Sequence, residues 1–180
     1  FREEHAKLIY SWRIKPHITK FALTEMEEDF EKHKKWLKRI INDESCKYWI
    51  ISFEGKKIGA VNLSEIDFLN KRCTAGCYIG EKEFIGLGAL FLPPVYDYAF
   101  NNLKLNKLYG EVLEGNNLIL GIHKYCGWRN VGTYKKHINK NGKYYDVHLI
   151  ELFKKDWMNF RTNKSNHGKK LVNESDQLFE

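Results

Sequence analysis

Residues 72–91, RCTAGCYIGEKEFIGLGALF, contain the change of pattern that decides the fold of this chain. Residues 72–80 have the pattern of a β-strand, and the mostly apolar stretch 89–103 is long enough for a helix. Two glycines, Gly86 and Gly88, lie between them. A glycine turn between a strand and a helix brings backbone N–H groups to the positive end of the helix dipole, where phosphate binds. The stretch therefore predicts a phosphate-binding turn.

Two well-known nucleotide-binding motifs do not fit this turn. A dinucleotide-binding GxGxxG motif needs a third glycine at position 91, which is Phe91. A P-loop needs Gly-Lys-Ser/Thr after the turn, but here Ala89 and Leu90 follow Gly88. The glycine pair alone is equally compatible with an ordinary turn, so the surrounding chain has to supply the context.

The rest of the chain predicts a mixed fold. Helices are predicted over about 3–13, 24–42, 89–103 and 117–125, and strands over 48–53, 57–63, 72–80, 108–113, 132–138 and 144–153. Thr24 and Glu27 have capping-box spacing, and Asn141-Gly142 predicts a hairpin. Pro93-Pro94 predicts that the third helix is kinked or starts late. This order indicates an α/β (α+β) fold with a mostly antiparallel central sheet flanked by helices.

Composition limits the functional classes. The 180 residues suit one domain, assigned to 1–158, followed by a polar tail over 159–180. A formal net charge of +7 indicates an anionic partner. The lysines are dispersed and no nucleic-acid motif is present, which favours a phosphate-rich small molecule over nucleic acid.

No apolar run reaches the ~20 residues of a membrane span. The charged opening and four cysteines without a CxxC pair predict a cytoplasmic protein without a metal site.

Further motifs after the glycine turn give a resemblance to the GNAT superfamily of N-acetyltransferases. The pyrophosphate motif of that family is Gln/Arg-x-x-Gly-x-Gly/Ala, and residues 83–88 occupy it with Glu83 in place of the basic or amide residue. We expect Lys82 to supply the missing charge. Downstream, Asn116, His123 and Gly127 fall at the family spacing, with the histidine at the usual tyrosine position. The resemblance implies the acyl-CoA N-acyltransferase fold and acetyl-CoA as co-substrate.

Three segments are similar to one branch of that superfamily, the N-acetyltransferases of pseudaminic acid biosynthesis. They are residues 10–16, 30–37 and 136–147, and the whole resemblance covers roughly residues 5–155. It implies that the acceptor is a UDP-linked 4-amino-4,6-dideoxy sugar. Acetylation of ribosomal-protein or peptide N-termini, and a catalytically silent CoA-binding module, stay open as alternatives. The first family strand is missing and the first methionine is Met26, so we expect a truncated N-terminus.

The resemblance also implies residue roles. Glu111 is the expected general base for the amine, and His123 the expected proton donor to the CoA sulfur. Arg13 and His33 are the expected acceptor-binding residues, because arginine suits phosphate. Backbone N–H groups at the end of the third strand are expected to polarise the thioester carbonyl. The expected contacts of acetyl-CoA are Tyr78, Ile79, Gly86, Leu87, Gly88, Ala89, Asn116 and Asn117. The sequence allows a homodimer.

Overall fold

The computed structural model describes residues 1–25 and 28–165. The strands are β1 (Lys47–Phe53), β2 (Lys56–Asp67), β3 (Arg72–Ile79), β4 (Lys107–Leu113), β5 (Arg129–Lys140) and β6 (Lys143–Phe153). The helices are α1 (Ala6–Arg13), α2 (Pro16–Thr19), α3 (Phe30–Ile41), α4 (Gly88–Asp97), α5 (Asn117–Tyr125) and α6 (Lys154–Ser165). Short 3-10 helices occupy Glu3–His5 and Lys82–Leu87, and a π-helical turn occupies Tyr98–Asn102.

The described strands form one six-stranded sheet in the order β1-β2-β3-β4-β6-β5. Neighbouring strands are antiparallel except β3 and β4, which are parallel and connected through α4. Asn141 and Gly142 have φ values of 52° and 80°, as a tight hairpin between β5 and β6 requires. The predicted mixed, mostly antiparallel sheet is confirmed.

Two hydrophobic clusters cover the two faces of the sheet. Ile50 and Ile51 on β1 belong to different clusters, because successive side chains of a strand point to opposite faces. Trp12 and Leu37 pack with Ile50 on one face, which we call the α1 face. Phe91 packs with Ile51 on the other, which we call the α4 face. The two clusters therefore lie on opposite sides of β1.

The start of α3 differs from the sequence prediction. The helix begins at Phe30, and the Asp29 side chain caps it by accepting a hydrogen bond from Lys32 N at 3.0 Å. Thr24 lies in a bend six residues earlier, while Glu27, its predicted capping partner, is outside the described residues. The predicted start near residue 24 is therefore wrong, because an aspartate cap immediately before Phe30 satisfies the first turn instead.

Helix α4 contains both prolines of the Pro93-Pro94 pair and still begins at Gly88. A late start, one of the two outcomes that the sequence predicts, is thus not observed. The irregularity follows the helix instead, as a π-helical turn in which Leu103 N donates to Tyr98 O at 3.1 Å. This turn ends the helical stretch that the sequence predicts over 89–103.

Helices α2 and α6 have no counterpart in the sequence prediction. Trp157 anchors α6: it is fully buried, and its Nε1 donates to Asp97 Oδ1 at 2.8 Å. Arg161 adds an ion pair of 2.9 Å to the same carboxylate. Helical structure thus continues to Ser165, inside the segment assigned to the polar tail. Over residues 1–25 and 28–165, no helix is both long and apolar enough to cross a membrane.

Candidate active site

The parallel strands β3 and β4 separate part-way along their length. Their pairing covers only residues 72–74 of β3 and 107–109 of β4. Beyond Thr74 and Tyr109, each strand keeps its other neighbour but has no partner across the gap. A V-shaped opening therefore lies between residues 75–79 and 110–113. Unpaired strand edges are uncommon inside proteins, so this opening is a natural place for a ligand that forms hydrogen bonds.

The β3 edge of the opening presents the backbone of Cys77 and Ile79. Gly80 N donates to Ile58 O at 2.7 Å. Hydrogen-bonded pairs alternate along an antiparallel ladder, so Tyr78 pairs its backbone with Ala60, and the residues on either side of Tyr78 face the opening. The carbonyl-polarising backbone role expected of Tyr78 is therefore unavailable to it. The N–H of Ile79 keeps that role.

The predicted phosphate turn is helical. Residues 82–87 form a 3-10 helix that runs directly into α4, and Gly88 N donates to Ile85 O within it. Neither Gly86 nor Gly88 has a positive φ. A Cβ at Gly86 would meet no atom within 4 Å, and one at Gly88 would make ordinary contact with Ile79. Nothing inside the protein requires glycine at either position. Gly86 is exposed and leaves room for a group that approaches from outside, whereas Gly88 is buried.

The turn carries the acidic Glu83 where the family pattern has a basic or amide residue. Glu83 forms an exposed ion pair with Lys56 of β2 at 2.7 Å, and this lysine lowers the pKa of the carboxyl. Lys56 therefore neutralises Glu83. Lys82 lies exposed beside it, and its role in charge compensation stays a prediction.

Asn116 and Asn117 lie at the start of α5, directly after the β4 edge of the opening. Asn116 occupies the N-cap position, but its side chain makes no capping hydrogen bond. It is half-buried, and Asn117 is exposed. Both amides are therefore available to a ligand at this end of the opening.

Glu111 lies on the exposed side of β4, next to the opening. Its neighbours Gly110 and Val112 point to the α4 face, where Val112 joins the core cluster, so Glu111 points to the α1 face. Its side chain is exposed to solvent. Glu111 is placed to accept a proton from a group on the α1 face.

His123 lies on the α4 face, and only 6% of it is exposed. Its Nδ1 is 3.1 Å from the Tyr96 hydroxyl, and its ring packs on Trp128 with a centroid separation of 4.6 Å. Burial lowers the pKa of His123 to about 4. The ring is therefore neutral near pH 7, and it can act on a sulfur as a hydrogen-bond donor but not as a stored imidazolium acid.

Arg13 and His33 meet on the α1 face around one aromatic ring. The Arg13 guanidinium lies 4.1 Å from the Trp36 centroid, and the His33 ring lies 5.2 Å from it. Burial, and to a smaller extent the Arg13 charge, lowers the pKa of His33 to about 4. The positive charge at this cluster therefore comes from Arg13, which is half-buried. His33 contributes a neutral ring.

Three contacts fix α1 and α2 against the end of β3. Trp12 Nε1 donates to Glu81 Oε1 at 2.7 Å, and Lys15 Nζ donates to Gly80 O at 2.8 Å. His17 Nε2 lies 3.1 Å from Ile79 O, which points away from β2. The sequence analysis did not single out His17. The sequence shows a histidine directly after Pro16, but whether this side chain reaches the site depends on how α2 packs against the end of β3.

Cys77 is an unsuitable nucleophile in this site. Burial raises the pKa of its thiol to about 12, which keeps it protonated. Across residues 1–25 and 28–165, no group of three or more His, Cys, Asp or Glu side chains is arranged to hold a metal ion. Backbone groups of β3 and the Glu111 side chain of β4 lie along the opening, while the Arg13 cluster lies on the α1 face and His123 on the α4 face.

Comparison with known families decides the class of protein. A family model described as an acetyltransferase (GNAT) domain matches residues 1–149. The chain belongs to this GNAT family. It is an acetyl-CoA-dependent N-acetyltransferase of the GNAT type, as the sequence predicts.

Relatives of this GNAT chain carry more than one substrate name. A Campylobacter jejuni protein named acetyltransferase PseH is 31% identical over 121 residues, covering 67% of this chain and 74% of the relative. A Vibrio cholerae spermidine N(1)-acetyltransferase is 23% identical over 155 residues, covering 85% and 90%. The solved V. cholerae spermidine N-acetyltransferase in complex with CoA and spermine superposes with a TM-score of 0.81 at 21% identity, over 88% of this chain and 95% of that one. This last likeness shows the fold.

Proposed function

We propose that this GNAT chain transfers the acetyl group of acetyl-CoA to the amine of a nucleotide-linked amino-deoxy sugar, most specifically a UDP-linked 4-amino-4,6-dideoxy sugar. The observation that carries the proposal is the Arg13 guanidinium stacked on Trp36. Arg13 forms no ion pair with a carboxylate in the part of the chain that the structure describes. A planar, half-buried cation on an aromatic ring suits a nucleotide, since it can bind phosphate or stack on a base.

Acetyl-CoA supplies the activated acetyl group and fits the opening between β3 and β4. The backbone of Cys77 and the N–H of Ile79 can bind its pantetheine arm and thioester, while the Ile79 carbonyl is already held by His17. Gly86 is exposed, so the pyrophosphate can approach the backbone there, and Lys82 adds positive charge. Gly88 is buried, and its N–H already donates to Ile85 O.

The reaction is a direct transfer without an acyl-enzyme. The amine nitrogen forms a bond to the thioester carbon, one proton leaves the nitrogen, and the carbon–sulfur bond breaks so that the sulfur leaves as a thiolate, which takes up a proton from water. Glu111 on the α1 face accepts the amine proton, and Ile79 N–H polarises the carbonyl. His123, on the α4 face, donates a hydrogen bond to the sulfur as negative charge develops there. The two side chains thus act from opposite faces of the opening.

The charge around the acceptor side argues against a polyamine. A polycationic acceptor such as spermidine, named for three of the relatives, needs carboxylates to receive it. Residues 6–20 instead carry Arg13, Lys15 and Lys20 and no Asp or Glu, and of these Lys15 is paired with Glu81. Acetylation of peptide N-termini remains the alternative within the same fold, and a relative named putative ribosomal N-acetyltransferase is 26% identical over 107 residues. An acidic acceptor groove would favour a peptide amine, as it would a polyamine.

Replacing Arg13 by glutamine is expected to raise the KM for the UDP-amino sugar by about tenfold, while kcat and the KM for acetyl-CoA change little. The guanidinium binds a part of the acceptor that does not react, so its loss removes uniform binding worth about 1.4 kcal/mol. Steady-state kinetics with each substrate varied separately measure the effect. Arg39→Gln, an exposed arginine on α3, is the matched control. An unchanged acceptor KM would remove Arg13 from the acceptor site.

Replacing Glu111 by glutamine is expected to lower kcat by about tenfold or more, with the KM for acetyl-CoA unchanged. Glutamine keeps the shape of the side chain but cannot accept the amine proton. Steady-state kinetics with each substrate varied separately measure the effect. Glu114→Gln is the control, because Glu114 is also exposed and, among the described residues, accepts a hydrogen bond from Asp146 N alone. A wild-type kcat in the Glu111 variant would exclude it as the base.

A further inference from the structure

Tyr96 is a buried tyrosine whose side chain ends at His123. It lies in α4, eight positions after Gly88, and is fully buried. Its hydroxyl is 3.1 Å from His123 Nδ1. Both residues pack on Trp128, with ring centroids 5.6 Å away for Tyr96 and 4.6 Å for His123. Burial raises the pKa of Tyr96 well above its ordinary value, so the hydroxyl keeps its proton.

The two nitrogens of His123 have different surroundings. Among the described residues, the inaccessible side-chain polar atoms without a partner are His33 Nε2, the Tyr78 hydroxyl and Trp128 Nε1. His123 Nε2 is not one of them, although no described residue forms a hydrogen bond with it. The small exposed fraction of His123 therefore includes Nε2, whereas Nδ1 faces the buried hydroxyl.

Hydrogen-bond satisfaction decides the direction of the Tyr96–His123 contact. If the hydroxyl donates to Nδ1, its proton has a partner, and the second ring proton sits on the accessible Nε2. If Nδ1 donates instead, the hydroxyl proton is left in the core without an acceptor. An unsatisfied buried donor costs about 1–3 kcal/mol, so the first arrangement is the stable one.

We propose that Tyr96 is a positioning residue that holds His123 in the tautomer with its proton on Nε2, so that the accessible nitrogen of His123 is a hydrogen-bond donor. The proposal rests on the proposed function, because it assigns the donor to the CoA sulfur. In the opposite tautomer, Nε2 would present a lone pair and repel the developing thiolate. A tyrosine at position 123 would need no such partner, since its hydroxyl can rotate to donate.

The test is Tyr96→Phe in the full-length chain, which removes one oxygen and keeps the ring. In the wild type, the side-chain ¹⁵N chemical shifts of His123 are expected to report a single Nε2–H tautomer. In the variant they are expected to move towards a mixture of the two tautomers. The value of kcat is expected to fall on the order of tenfold, the size of one net hydrogen bond, while the KM for acetyl-CoA is unchanged. Tyr109→Phe removes a hydroxyl that is bonded to exposed Glu65 at 2.7 Å and serves as the matched control.

A double-mutant cycle separates positioning from general structural support. In a His123→Gln background, Tyr96→Phe is expected to have no further effect on kcat, whereas a merely structural loss would add to the first. An unchanged Nε2–H tautomer in Tyr96→Phe, or additive losses in the cycle, would overturn the proposal. The tautomer is measured without turnover, so failure of the proposed function, tested by acetyl-CoA binding and acceptor turnover, remains distinguishable.

Discussion

Replacing Gly86 by valine is expected to weaken acetyl-CoA binding on the order of 100-fold, about 2.7 kcal/mol, without lowering the thermal stability of the protein. A Cβ at this position meets no atom of the protein within 4 Å, so the added side chain fills only the space in front of the turn. That space is where we expect the pyrophosphate to approach the backbone. Isothermal titration with acetyl-CoA measures the affinity, and thermal unfolding measures the stability.

Gly121→Val is the matched control for this change. Gly121 is also a helical glycine with no atom near its Cβ position, but it lies on α5. This variant should therefore likewise keep the thermal stability of the wild type, together with wild-type affinity for acetyl-CoA. Gly86 is a cleaner position than Gly88, because valine at 88 would crowd Ile79, which a Cβ there already approaches to 3.5 Å. Wild-type affinity in the Gly86 variant would place the cofactor elsewhere.

The second large effect is expected at His123. Replacing it by glutamine should lower kcat on the order of 100-fold, the usual size for one donor placed at a developing charge, with nearly intact affinity for acetyl-CoA. Because its pKa is about 4, His123 is neutral near pH 7, and its contribution should add no inflection to the rate profile there. Single-turnover kinetics under saturating acetyl-CoA measure the loss directly.

His5→Gln is the control for the His123 variant. His5 is likewise a buried histidine, and burial is the main reason that its pKa is lowered. It lies at the start of the chain beside Lys57, away from the opening between β3 and β4. If both variants kept wild-type kcat, His123 would have no role as a donor, and Tyr96 would have no catalytic group to position.

Local signals predicted the parts of the fold that depend on neighbours in sequence. The Asn141-Gly142 turn fixes a hairpin because both residues accept positive φ, and the predicted helix over 117–125 has the observed bounds. The predicted start of α3 was wrong because two residues that can cap a helix, Thr24 and Asp29, lie within six residues of each other. Helix α6 was not predicted from the sequence, because its stability comes from burial of Trp157 and the Asp97 contact rather than from a periodic apolar face.

The site depended more strongly on contacts between distant segments. Glycines 86 and 88 could be found from spacing, but the end of β3–β4 pairing at Thr74 depends on how α4 and the sheet pack. The backbone hydrogen bonds of Tyr78 point towards β2 because of the pairing register between β2 and β3. A shift of that register by one residue would turn them towards the opening instead. The neutral state of His123 follows from burial against Tyr96, a residue 27 positions away. No local pattern contains that information.

We propose that this enzyme acetylates an anionic, nucleotide-linked amino sugar. A parallel assay of the purified protein tests this with acetyl-CoA and three acceptors: a UDP-linked 4-amino-4,6-dideoxy sugar, spermidine, and a peptide with a free N-terminus. Mass spectrometry of the acceptor and release of CoA thiol are followed together. We expect one added acetyl group on the UDP-amino sugar, with kcat/KM on the order of 100-fold above the other two. Preferred turnover of spermidine or of the peptide would overturn the proposal.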